Sequence, residues 1–229
     1  PDFNPDDEYL QEIKSPIFYA VQKNINIQTG QPTILDFDMQ RISQRINIVF
    51  NIRTEGNIKR EDLAAPIIEL SGACGRFNIA DACLDTTRLY RMAHQVQPDE
   101  FTQTGEGTYR CVVHFHTLGV IPSAAKGHLN GPGILQVALQ VSTPQLDSSG
   151  APVVDEEGNP VKNSRYIYGA INPYDELTAA QLIEVRDGKI YLRYSKEDVN
   201  IEITTPLVIK ADQIVPNDTG MGWQPHDPT

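Results

Sequence analysis

No apolar run in the chain approaches the roughly 18 residues that a membrane-spanning helix needs, and mean hydropathy is −0.34. Membrane insertion is therefore not expected. Cysteine is scarce: Cys74, Cys83 and Cys111 are an odd number in a chain of 229 residues, too few and too widely placed to form a disulfide framework. They are expected to be reduced thiols, with Cys111 on the apolar side of a strand; whether Cys74 and Cys83 pair is not settled by sequence. Positive charge is also short, with 19 Lys and Arg against 30 Asp and Glu, a net charge of −11 and a pI near 4.8. The basic residues are interleaved with acids, as in Lys59-Arg60-Glu61-Asp62, and form no stripe, which argues against nucleic acid as a partner. The opening at Pro1 lacks the charged and apolar regions of a secretory leader. The expectation is a complete chain, trimmed of its initiator Met, made and kept reduced in a cytoplasm.

Catalytic motifs are missing too. There is no Gly-x-Ser-x-Gly; Ser71-Gly72-Ala73-Cys74-Gly75 lacks the strand-to-helix elbow of a nucleophile, and Gly131-Pro132-Gly133 lacks the Gly-Lys-Ser/Thr ending of a phosphate loop. The Asp and Glu residues cluster in turns and termini, where solvated charge explains them without glycosidase chemistry.

What the chain does have is period-two patterning. Ile46, Ile48, Phe50 and Ile52 alternate with Arg45, Asn47, Val49 and Asn51, and the same rhythm returns in Tyr109/Cys111/Val113/Phe115, Leu135/Val137/Leu139/Val141 and Val199/Ile201/Ile203. Alternate residues of a strand share a face, so these are strands with one apolar side. Further strands are expected at 17–21, 24–27, 34–39, 67–70, 76–79, 166–171, 189–194 and 207–211. Gly30 and Pro32 turn 24–27 into 34–39 as a hairpin. Leu84, Leu89, Met92 and Val96 are spaced as on a helix, which places one at 86–95; a short helix is expected at 177–184 and one helical turn within 57–65, ending before Pro66. No internal repeat stands out. The predicted fold is mainly β, an antiparallel sandwich of jelly-roll type with one or two short helices and extended termini. Residues 1–16 read as an N-terminal arm, 17–215 as the core, 143–163 as a protruding finger with a Glu-Gly-Asn turn, and 216–229 as a tail carrying the single Trp223.

Two constellations invite chemistry. His114 and His116 lie two apart on a strand, the spacing at which two imidazoles can share a Zn or Fe ion, with His94 and His128 as further ligands. The spacing is common, no acidic ligand follows, and two structural or interface histidines are the preferred reading, so no catalytic, cofactor-binding or metal residue is assigned. Tyr166, Tyr168, Tyr174, Tyr191 and Tyr194, with Asn163, Asn172, Asp175 and Asp187 nearby, could offer stacking faces to a sugar. Tyrosine is equally routine on strands.

The expected function is accordingly that of a non-enzymatic structural or assembly subunit, of phage virion or tail type, docking onto other protein subunits as a homo-oligomer or larger assembly through arm, finger and tail. A carbohydrate-binding module contacting glycans and a metal-dependent enzyme built on His114 and His116 are the alternatives. No cofactor is expected, and the chain is placed in the cytoplasm until it enters a particle.

Overall fold

The computed structural model describes residues 9–27, 29–56, 58–193 and 197–210. The expected tail at 216–229 and the first eight residues of the expected arm lie outside them. In chain order the strands are β1 (Phe18–Tyr19), β2 (Gln40–Arg41), β3 (Gln44–Glu55), β4 (Ile67–Cys74), β5 (Phe77–Asn78), β6 (Cys83–Leu84) and β7 (Leu89–Gln95). They continue with β8 (Phe101–Gly105), β9 (Thr108–Thr117), β10 (Leu135–Pro144), β11 (Lys162–Ile171), β12 (Ile183–Arg186), β13 (Lys189–Leu192) and β14 (Val199–Lys210). Among the described residues there is one α-helix, α1 (Tyr174–Ala179), which starts after Pro173 with Asp175 and Glu176 in its first turn, where the helix dipole favours them, and one 3-10 turn at Arg60–Asp62, within the span expected to hold a helical turn.

The protein is mainly β. One sheet has the order β14-β3-β9-β8 and a second the order β11-β10-β4-β7. Ile46, Ile48, Phe50 and Ile52 of β3 and Cys111, Val113 and Phe115 of β9 meet Ile68 and Leu70 of β4 and Leu135, Val137, Leu139 and Val141 of β10 in one core. The two sheets are thus the layers of a sandwich, and the alternation read from β3 is the inward face of one of them. Each of those fully buried side chains contributes about 1.5–3 kcal/mol through loss of apolar surface from water.

A third sheet, β12-β13-β6-β5, closes one end. Its Leu84 and Leu192 pack with Ile42, Cys74 and Leu118, residues at or just beyond the ends of β3, β4 and β9. The β10–β11 hairpin points the other way, because β10 pairs with β4 at Leu135↔Leu70 and Ala138↔Ile67 and then runs on past the start of β4.

The short helix expected at 177–184 lies instead at Tyr174–Ala179, and Ile183–Arg186 is β12. Four larger expectations change. The helix placed at 86–95 is strand β7, paired antiparallel with β4 at Ile68↔His94 and Leu70↔Met92. Met92 and Val96, four apart, fit either period, but Leu89 and Met92, three apart, pack into different clusters from opposite faces of β7, and the open edge of β4 decides for a strand. The strands expected apart at 199–204 and 207–211 form, over their described residues, the single β14, which pairs parallel with β3, the one parallel ladder among the described strands. Its register shifts between Ile203 and Leu207, where Pro206 has no N–H to offer. The strands expected at 24–27 and 34–39 do not form; 20–39 leaves the β1–β2 pair as an irregular excursion.

The fourth change lies in the expected finger, which is a tandem of two eight-residue units, Leu146 to Val153 and Val154 to Val161. In each an Asp starts a turn: Gly150 N–H donates to Asp147 O and Gly158 N–H to Asp155 O. Asp147 Oδ1 accepts from the Ser149 and Ala151 amides, and Asp155 Oδ1 from those of Glu157 and Asn159. Three legs meet at Gln145, Val153 and Val161, where N–H of 145 donates to O of 161, 153 to 145, and 161 to 153, each at 2.8 Å. Asp, Gly, Pro and Val recur at the same places in the two units.

Candidate functional site

Both histidines of the 114/116 pair lie on the outward face of β9, yet they do not share a ligand site. His114 Nδ1 lies 2.8 Å from Asn47 Oδ1, whose amide nitrogen donates to Asn200 Oδ1 at 2.9 Å; His114 Nε2 lies 3.5 Å from Glu100 Oε1. The other oxygen of Glu100 takes His94 Nε2 at 3.0 Å and the Gln97 amide at 2.8 Å. A polar chain therefore runs from β14 through β3 and β9 to Glu100 and on to β7, tying the edges of the two large sheets. Glu100 stands between the two rings, one oxygen to each, rather than converging with them on a point. Among the described residues no group of three or more His, Cys, Asp or Glu side chains is placed to hold a metal ion. Burial raises the Glu100 pKa, but the Gln97 amide and the charges of His94 and His114 outweigh it, and the carboxyl titrates below its ordinary value.

His116 is engaged elsewhere. Its Nε2 lies 3.0 Å from Ser43 Oγ, and its carbonyl accepts from the Ile13 amide at 2.9 Å. Burial, aided by the charges of Arg41 and Arg45, lowers its pKa despite the Ile13 backbone and Glu12. His128 lies in the loop between β9 and β10, where its carbonyl accepts from Asn172. The metal constellation read from spacing is thus dispersed into hydrogen bonds.

The three cysteines are free and buried. Burial pushes the Cys74 and Cys111 thiols up to about 12, with Asp85 and Glu100 adding to the effect, so neither is poised as a nucleophile. The tyrosines are scattered. Tyr166 and Tyr168 stack at 6.2 Å on the outward face of β11, Tyr174 is in α1, and Tyr191 on β13 lies under the Arg186 guanidinium at 4.3 Å. Tyr194 lies outside the described residues. A cleft of about 660 Å³ sits on the small sheet between Arg76, Asp81, Asp85, Thr87 and Lys189. Lys189 is ion-paired with Asp81 there, and the Thr87 hydroxyl and amide both donate to Asp85 Oδ1 in an exposed turn.

The N-terminal stretch is held against the body. Tyr9 forms a bridge with Arg91, Leu10 N–H donates to Arg91 O, and the Tyr9 hydroxyl donates to Glu69 Oε1 at 2.6 Å. Glu69 is only 1% exposed on the outward face of β4, with the Arg91 guanidinium 3.5 Å away.

Beyond it the chain changes character. Ile17, Phe18, Val21, Ile25, Ile27, Ile34, Leu35, Phe37 and Met39 are all exposed, Ile27 at 77% and Ile34 at 83%. The excursion that carries most of them is closed at its neck by Tyr19↔Gln40 and Phe18↔Arg41 and by Ile42 N–H donating to Ile17 O. The neck is anchored to the small sheet, where Tyr19 packs edge-on to Phe77 and its hydroxyl donates to Ile79 O. Loops of this length without secondary structure are uncommon in compact domains unless they bind something. A cluster of large exposed apolar side chains has the same meaning. Sequence reading found this segment but assigned it to the core, because alternation reports one apolar side and not what covers it.

Comparison with known proteins adds no relative: the chain matches no family model and no curated protein.

Proposed function

We propose that this chain is a non-enzymatic structural subunit that joins a larger protein assembly by burying the apolar excursion 20–39 in a neighbouring subunit. The observation that carries the reading is the exposed apolar series from Ile17 to Met39 on a loop fastened at both ends to a sandwich. A fastened loop loses less freedom on binding than a free tail, so more of its apolar burial is left to stabilise the contact. The tandem turns stand at the opposite end and expose Leu146 and Val154 at matching places in the two units, which gives the subunit a second contact region. A particle of virion or tail type, built from stacked or ringed copies, is the natural setting for a molecule that presents contacts at both ends.

The test is the size of the particle that carries the chain. In its native source, tagged chain should sediment well above its own 25.5 kDa, and a variant in which 20–39 is replaced by an Asn-Gly turn joining Tyr19 to Gln40 should sediment as free chain. Sedimentation of the unaltered chain as a free monomer overturns the proposal.

A further inference from the structure

We infer that the excursion 20–39 pairs with the same excursion of a second copy of this chain, limb 21–27 of one copy lying antiparallel to limb 34–39 of the other. The inference rests on the assembly reading and names the first partner in it.

The sequence writes two strand-like limbs. Val21, Ile25 and Ile27 alternate with Gln22, Asn24 and Asn26, and Leu35, Phe37 and Met39 alternate with Asp36, Asp38 and Gln40; Gly30 at φ +82° turns between them. Ile34 apart, the apolar residues of both limbs hold odd numbers. The neck pairs Tyr19 with Gln40 and Phe18 with Arg41, odd with even. Carried outward, that register sets Ile25 opposite Ile34 but Asn24 opposite Leu35 and Gln22 opposite Phe37. Opposed residues share a face, so Ile25 and Ile27 fall on one side of the ribbon and Leu35, Phe37 and Met39 on the other. Neither face is apolar enough to bury, and a lone two-stranded ribbon is marginal in water even when its face is good. Asn24, at φ +59°, turns the first limb out of strand geometry instead.

A limb from another copy is free of the neck's register. Pairing Ile25 with Phe37 and Ile27 with Leu35 across two copies sets Asn24 opposite Asp38 and Asn26 opposite Asp36. The odd-numbered face then gathers Ile25, Ile27, Leu35, Phe37 and Met39 with Lys23 at its margin, the even-numbered face sets amides against carboxylates with Ile34 at its end, and no two like charges oppose. A two-fold axis makes the exchange reciprocal, as a closed dimer requires.

Charge and area point to the same partner. The chain carries −11, but 20–39 holds one Lys and two Asp, so two copies meet here at a surface that adds little to their repulsion. The seven large apolar side chains of the excursion expose on the order of 700 Å², close to the ~800 Å² per side of a stable interface.

Purified full-length chain, examined by sedimentation equilibrium from about 1 to 100 μM, should pass from one chain mass to two. Phe37→Asp with Met39→Asp, both at exposed positions that leave the core intact, should weaken dimerisation at least 100-fold without changing the circular dichroism spectrum. Register is read by mixing Ile25→Cys protein with Phe37→Cys protein under mild oxidation, which should give a disulfide-linked pair that neither variant gives alone. A wild-type monomer at 100 μM, a mass above two chains, an unchanged dimer in the Asp variant, or no cross-link in the mixture overturns the inference. Should the purified chain be monomeric while the native-source chain still sediments as a particle, the self-pairing is lost and the assembly reading stands.

Discussion

Two titrating side chains on the outward side of the β9 sheet set how the fold responds to acid. His116 has its pKa lowered in the fold, so below its ordinary value of 6.5 the unfolded chain binds the proton more readily and stability falls. Glu100 is also lowered; its contribution is present above the ordinary 4.5 and disappears as pH drops through the folded value. Urea unfolding should therefore show stability falling between pH 7 and 5, a fall that His116→Gln reduces. A further loss below pH 4.5 should be reduced in Glu100→Gln, which at pH 7 is destabilised by about 1.5–3 kcal/mol through its lost charge-assisted hydrogen bonds. Greater stability of the wild type at pH 5 than at pH 7 contradicts the assignment. Gly72 is another residue whose identity is dictated. It sits at φ +83° in the irregularity of β4 between Ser71 and Ala73, and a Cβ there would stand 2.7 Å from Gly133 N and Ile121 O. Both atoms are backbone and cannot swing aside. Gly72→Ala should cost about 3 kcal/mol by thermal or urea melts, and a cost under half of that refutes the close approach.

At the scale of elements, what could be read from the sequence was whatever depends on a strand's own residues. The inward faces of β3, β9 and β10 follow from alternation because both neighbours of each are present in the chain and the buried side is the apolar one. Three features depend on something else. Strand β7 was written in spacings that suit a helix equally well, and only the waiting edge of β4 chooses. The parallel placement of β14 on β3 is a matter of topology, which a hairpin-based reading of adjacent strands does not reach. The excursion was misplaced because its limbs carry sound strand patterns in a register that the neck forbids. The histidine pair shows the same limit from the chemical side: two imidazoles at i and i+2 do point the same way, but Ser43, Asn47 and Glu100, which occupy their nitrogens, come from the chain before β3, from β3 itself and from the β7–β8 connection. The tandem Asp-Gly turns could have been found, since Asp, Gly, Pro and Val recur at a fixed eight-residue offset in Leu146 to Val161.

For the whole molecule, the sandwich and its attachments differ in what holds their amides, and hydrogen exchange reads that difference directly. β3 lies between β9 and β14, and the Leu135–Ala138 stretch of β10 between β4 and β11, so these segments have ladders on both sides and their inward side chains are in the core. Release of those amides requires the sandwich to open, at a free energy near the global one, about 5–15 kcal/mol for a protein of ordinary stability. The β8 strand is at a sheet edge, exposed from Thr102 to Gly105, and can fray alone at lower cost. Among the described residues of 20–39 no ladder bond is made at all, so in dilute solution these amides should exchange within seconds while those of β3 and β10 persist for hours. Raising the concentration through the self-pairing range should slow the 20–39 amides selectively, since new ladder bonds form there and nowhere in the core. The order of protection tests the architecture and its concentration dependence tests the pairing, so the two can fail separately. Fast exchange in β3 removes the sandwich as the stable unit, whereas concentration-independent exchange in 20–39 leaves the sandwich untouched and removes only the contact between copies.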